Sequence, residues 1–215
     1  MKLYVYDHCP YCVRARMIFG LKKLPVDLIM VLNDDEQTPV NLIGKKAVPI
    51  LITDEEKAMP ESLDIVCYVD SHYGTKCLLD NVRPEIENWI SKASQYVNYL
   101  LLPRFIKLGL PEYQTQSAVD YFVKKKTEAI GDFDTHQSKT TEYLTRLHRD
   151  LEELSALFIN DEAVNGHLSY EDILLFPILR NLTCVKGLIL PTNIAQYVAN
   201  MAVASRIDLY YSKAC

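Results

Sequence analysis

Two thiols three residues apart, Cys9-Pro10-Tyr11-Cys12, lie near the start of the chain, and their flanks limit what it can fold into. Lys2 to His8 alternates polar and apolar side chains of aromatic and β-branched type, as a strand does. The residues after Cys12 place Met17, Ile18 and Leu21 at a spacing that suits one helix face. The dithiol is therefore expected where a strand turns into a helix N-terminus. Aligned peptide dipoles and unpaired N–H groups favour negative charge there, so Cys9 should ionise more readily than a free thiol. Cys12, one turn further in, is placed to attack a mixed disulfide formed on Cys9. The competing reading is two ordinary cysteines, or half of a zinc site.

A zinc site would need a second close pair, because tetrahedral sites draw on tight pairs. Cys67 and Cys77 are ten apart, and Cys184 and Cys215 are isolated, so no metal is expected. His8 reads as a partly exposed loop residue. The six cysteines lack a disulfide-framework spacing in a chain of 215 residues, which points to a reducing, cytoplasmic setting. A formal charge of -5 offers no general basic surface, so neither nucleic acid nor an acidic membrane is an expected partner. No run approaches the roughly 18 apolar residues of a membrane span, and no signal peptide is read before Cys9.

Pro25 breaks the first helix, and Val26 to Val31 reads as a second, apolar and central strand. Strand, helix and strand make a βαβ unit, whose two strands should run parallel. A short helix then starts in Asn33 to Gln37 and ends near Gly44. Lys45 to Ile52 reads as a third strand, with Pro49 marking an edge or a strand start. Val48–Pro49 is expected to be cis, although only about 5% of X–Pro bonds are. Lys57 to Met59 is a fourth, short strand. Pro60-Glu61-Ser62 opens another helix, with an apolar stripe at Leu63, Val66 and Val69 and with Cys67 buried as a small hydrophobe. Glu61 and Ser62 are sufficiently explained as helix-start residues. A carboxylate and a hydroxyl at a dipole's positive end also suit an amino-acid zwitterion.

In this order, Cys-Pro-Tyr-Cys at the first helix, Val-Pro before the third strand and Glu-Ser after the fourth resemble a thioredoxin-like domain. Cys-Pro-Tyr-Cys is typical of glutaredoxins, whereas Glu-Ser is characteristic of the glutathione transferase fold. The chain as a whole resembles the bacterial glutaredoxin 2 group, which combines the two. The resemblance implies a thioredoxin-like α/β domain over residues 1–72, a linker at 73–83 and an all-α domain over 84–215. It implies a glutathione-dependent thiol–disulfide oxidoreductase in which Cys9 attacks and Cys12 resolves. Pro10 and Tyr11 would border the sulfur. The backbone of Val48 beside Pro49 would pair with the cysteinyl part of glutathione, and Glu61 with Ser62 would hold its γ-glutamyl end. Arg16 and Lys45 are alternatives for its glycyl carboxylate or for the thiolate. Glutathione would be a cosubstrate, with no other cofactor. The expected partners are disulfide-bonded or glutathionylated proteins, and the expected state is a monomer.

From Pro84 onward the periodicity is helical. Ile86, Trp89, Ile90, Ala93, Tyr96, Val97 and Leu100 recur at three- and four-residue steps, with Pro103 expected to kink or end that helix. Val119 to Lys126 reads as a helix whose three lysines form a solvated face. Thr140 to Ile159 carries Leu144, Leu147, Leu151, Leu154 and Phe158 on one side. Ser169, with Asp172 three residues on, makes a capping box before the apolar run Leu174 to Leu182, which reads as the buried centre of its domain. Thr192 to Ala204 is a last helix. The interface of the two domains is expected to wall the site. Two rival functions share this architecture. One is a glutathione transferase conjugating electrophiles, which has no use for Cys12. The other is a non-enzymatic, glutathione-binding redox sensor.

Overall fold

Leu3 and Val5 are fully buried on strand β1 (Lys2–Val5), and the strand runs straight into the turn that carries the dithiol. The computed structural model describes residues 1–215, which divide into two units. The first comprises residues 1–76, 109–125 and 205–207.

In this unit α1 (Pro10–Leu21) leads to β2 (Asp27–Met30), and α2 (Gln37–Ile43) leads to β3 (Ile50–Ile52), β4 (Ala58–Met59) and α3 (Ser62–His72). The sheet order is β2-β1-β3-β4, with β1 and β2 parallel as the βαβ reading requires and the other pairs antiparallel. The register gathers the motifs. Tyr4 pairs with Ile50 and Leu51 with Met59, so Val48–Pro49 and Pro60-Glu61-Ser62 lie at the end of the sheet where β1 delivers Cys9. Val48–Pro49 is cis, and Pro49 directly precedes β3.

Gly44 ends α2 in the left-handed conformation, at a φ of 74°, where a side chain would be strained. Gly20 answers a different need. A Cβ there would lie 1.9 Å from the backbone oxygen of Ser205, so only glycine lets α1 approach that segment.

Three expectations are corrected here. β2 is an edge strand, with Leu28, Ile29 and Met30 partly exposed. An apolar run looks the same on a central strand and on an edge, and sheet order decides between them. On α3 the buried face is Ile65, Val66 and Val69, which leaves Leu63 at the surface. Cys67, one step round the helix from Val66, is exposed.

The second unit comprises residues 77–108, 126–204 and 208–215. Its helices are α4 (Pro84–Ser94), α5 (Val97–Phe105), α7 (Phe133–Ser138), α8 (Thr140–Ser155), α9 (Tyr170–Leu182) and α10 (Thr192–Ser205), while α6 (Gln116–Ile130) spans the division between the units. The long repeat after Pro84 is two helices. The break falls at Gln95 and Tyr96, where Tyr96 has a φ of -141°, and Pro103 lies inside α5. Periodicity missed that break because the apolar spacing runs on through it.

α9 is buried along most of its length. Its capping box is formed: the Asp172 carboxylate accepts the backbone N–H of Ser169 at 2.9 Å, and the Ser169 hydroxyl accepts the N–H of Glu171. Asp172 also accepts from the Val164 N–H at 3.0 Å and the Tyr197 hydroxyl at 3.1 Å. Burial raises its carboxyl, with these donors opposing. Within the stretch 73–83, Leu78 is buried and Leu79 pairs with Ser169. Arg83 grips the buried Glu171 carboxylate through Nε at 2.9 Å and Nη2 at 2.8 Å, the two-pronged geometry that suits guanidinium to carboxylate.

Candidate active site

Cys9 is the N-cap of α1, in extended conformation, and Pro10 occupies the first helical position, where its missing N–H costs nothing. Both thiols are free. Cys9 is half-buried and Cys12 is wholly buried. The Cys12 Sγ accepts the Tyr6 backbone N–H at 3.4 Å. Tyr11 is 54% exposed, with the Arg14 guanidinium 4.8 Å from its ring centre.

The two sulfurs are driven apart in acidity. The Cys9 thiol is lowered from its ordinary 9.0 to about 6. The main cause is the hydrogen bond from Cys12, opposed by burial and assisted by the charge of His8 and by the backbone N–H groups of Cys12 and Tyr11. The helix N-terminus thus contributes as expected, but the second thiol contributes more. Cys12 moves the opposite way, because burial, its bond to Cys9 and the Cys9 charge all hold its proton on. One sulfur is therefore an anion near neutral pH while its neighbour keeps a proton.

The other residues named from the sequence fall as follows. Glu61 caps α3 with a φ of 69°, an unusual conformation for a non-glycine residue that carries a cost of about 1–3 kcal/mol. Such strained residues cluster at functional sites. The exposed Glu61 carboxylate accepts from Lys45 Nζ at 2.9 Å. Ser62 is buried at the first position of α3, and the Glu61 side chain before it makes no capping hydrogen bond. Pro49 is buried and Val48 half-buried. Arg16 is engaged with Asp7 at 2.6 Å.

His8 lies in the loop between β1 and α1 as expected, but the expected exposure is corrected. It is 7% exposed, and its Nδ1 lies 2.5 Å from Oε1 of Glu112, which is wholly buried. Tyr6 and Tyr113 stack on its ring and Phe122 meets it edge-on. Sequence reasoning misses both Glu112 and Tyr113. They lie more than a hundred residues away, in a short turn (Pro111–Tyr113), and carry no motif.

A four-stranded sheet with an asymmetric dithiol at the end of its first strand, followed by a helical unit, defines a thioredoxin-fold thiol–disulfide oxidoreductase with a transferase-like C-terminal half. The comparisons agree in each part. Residues 3–77 match the glutathione S-transferase N-terminal domain, and residues 85–214 match the C-terminal domain of glutaredoxin 2. Glutaredoxin 2 of Escherichia coli strain K12 is 48% identical over 214 residues, covering 100% of both chains. A crystal structure of glutaredoxin 2 from Salmonella typhimurium in complex with glutathione superposes with a TM-score of 0.98 at 49% identity, covering 100% of this chain and 98% of that one. A glutathione S-transferase from Rhodospirillum rubrum, 16% identical with a TM-score of 0.63, covers 94% of this chain and 86% of its own and shares the fold. The chain belongs to the glutaredoxin 2 family and is a glutathione-dependent oxidoreductase.

Proposed function

We propose that Cys9 is the nucleophile of this oxidoreductase and Cys12 its resolving thiol. The observation that carries the assignment is the opposed acidity of the pair, with Cys9 at about 6 and Cys12 raised. The Cys9 thiolate attacks one sulfur of a disulfide and the other sulfur leaves as a thiolate, which solvent protonates. With a protein disulfide, Cys12 then gives up its proton and attacks Cys9. This closes the Cys9–Cys12 disulfide and frees the second protein thiol. Two glutathione molecules reduce that disulfide and depart as glutathione disulfide. With a glutathionylated protein, Cys9 takes the glutathionyl group and releases the protein thiol, and a free glutathione then attacks that mixed disulfide, restores the Cys9 thiolate and departs as glutathione disulfide.

In this reading the backbone of Val48, beside Pro49, pairs with the cysteinyl part of glutathione. Glu61 and Ser62, at the N-terminus of α3, take the γ-glutamyl ammonium and carboxylate, while Pro10 and Tyr11 border the sulfur. The register of β1, β3 and β4 supports it, because it gathers these segments at one end of the sheet. The substrates are disulfide-bonded or glutathionylated proteins of the cytoplasm, the chain acts as a monomer, and glutathione is its only cosubstrate. No helix is long and apolar enough to cross a membrane.

Two variants test the division of labour. Cys12→Ser should keep turnover of small glutathione mixed disulfides and lose reduction of protein disulfides, whereas Cys9→Ser should lose both. Reductase activity surviving in Cys9→Ser would sink the proposal.

A further inference from the structure

We infer that Glu112 and His8 form a buried positioning pair that holds a positive charge beside Cys9 and so sets the pH range in which the enzyme works. The inference rests on Cys9 being the nucleophile. The geometry is specific. A single carboxylate oxygen, Oε1 of Glu112, takes both the backbone N–H of His8 at 3.0 Å and its ring Nδ1 at 2.5 Å, which fixes the main chain and the ring of the residue next to Cys9. Asn33 anchors the other end by donating its N–H to the Glu112 carbonyl at 2.9 Å. All of these residues belong to the first unit.

Glu112 is wholly buried, and its second oxygen, Oε2, has no hydrogen-bond partner. Burying a carboxylate costs several kcal/mol unless a cation answers it. Burial pushes this carboxyl up, but the two hydrogen bonds and the charge of His8 outweigh it and leave the group lowered. The ring so held adjoins Cys9 in the chain, and the charge of His8 is among the influences that lower the Cys9 thiol. A buried pair whose only task was packing would be replaced at lower cost by two apolar side chains of the same shape.

Other groups also act on this pair and on Cys9. Tyr6 and Tyr113 stack against His8, and the Tyr113 hydroxyl lies 3.2 Å from Nδ1. The Tyr6 phenol is raised by burial and by the charges of Cys12, Cys9, Tyr121 and Glu112, so it stays neutral in the working range. Arg14 also acts on Cys9, and Arg16 acts on Cys12.

The test is the pH dependence of Cys9 alkylation by iodoacetamide in the full-length reduced protein, with the modified residue identified by mass spectrometry. Glu112→Gln keeps the shape and removes the charge. Its midpoint should rise by about one pH unit, which lowers the rate about tenfold on the acid side of the profile. His8→Gln should raise the midpoint similarly, and the double variant should rise no further than either single one, because both act through the same charge. Should Glu112→Gln fail to fold, His8→Gln reads the same midpoint. Variants of lower stability with an unmoved midpoint would reduce the pair to a packing role and overturn the inference, as would additive shifts. If the label lands on a residue other than Cys9, the nucleophile assignment itself fails, which separates the two ideas.

Discussion

The largest influence on Cys9 is the proton on Cys12, and removing it has a calculable effect. Cys12→Ala deletes the donor and leaves the helix N-terminus, the backbone N–H groups and His8 in place. A hydrogen bond to a charged group is worth about 1.5–3 kcal/mol, and one pH unit corresponds to 1.36 kcal/mol, so the Cys9 midpoint should climb by about one to two units from about 6. Cys12→Ser keeps a hydroxyl donor at the same position and should retain most of the depression. The assay is the rate of alkylation at Cys9 followed from acid to alkaline pH. A thiol at about 6 is roughly 90% thiolate at pH 7, against roughly 1% for one at 9.0. Because nucleophilicity falls with basicity, the net advantage at pH 7 is only about fourfold, and it grows at lower pH. An alanine variant with the same midpoint as the parent would refute the reasoning and transfer the whole effect to the helix terminus and His8.

Other consequences are read separately. Cys9 has a lower value folded than unfolded, so ionisation stabilises the reduced fold above pH 9 and that stabilisation is lost as pH falls through about 6. The stability difference between the reduced parent and Cys9→Ser, followed by urea unfolding, should therefore widen from pH 6 to 9. Gly20→Ala sets a methyl 1.9 Å from the Ser205 oxygen and should cost about 1–3 kcal/mol or more, measured by urea unfolding. Ser169→Ala removes the cap of α9 and should cost about 1 kcal/mol, a fall of about 2–4 °C in Tm for a chain of this size. Glu61→Gln should raise KM for glutathione about tenfold with kcat held, since it removes a charge-assisted contact at a partly exposed position. An unchanged KM would remove Glu61 from the glutathione site.

What the sequence made legible is what local chemistry encodes. Cys-Pro-Tyr-Cys between an alternating run and a helical one predicts a dithiol at a helix start, and Cys9 is found as the N-cap of α1. Ser169 with Asp172 predicts a capping box, which forms. Gly44 closes α2 where the sequence has it closing. What stayed hidden depends on partners distant in the chain. His8 reads as a partly exposed loop residue, and its burial shows only once Glu112, 104 positions on, meets its ring. The apolar β2 looks central because nothing in its own residues records that β1 is flanked by β3 on the other side. Cys67 looks buried from its apolar neighbours, and a rotation of one position about α3 puts it outside. The break at Gln95 and Tyr96 leaves the apolar spacing undisturbed, so periodicity carried straight through it.

The central claim is that Cys9 is the sulfur that takes the mixed disulfide, with Cys12 reserved for resolving one formed with a protein. Treating Cys12→Ser with glutathione disulfide and weighing the intact protein tests this most directly. The account predicts one glutathionyl group, mapped by peptide analysis to Cys9, released by added glutathione and absent when Cys9→Ser is treated in the same way. A glutathionyl group at any other cysteine of the Cys12→Ser protein, or an equal adduct in Cys9→Ser, would contradict it.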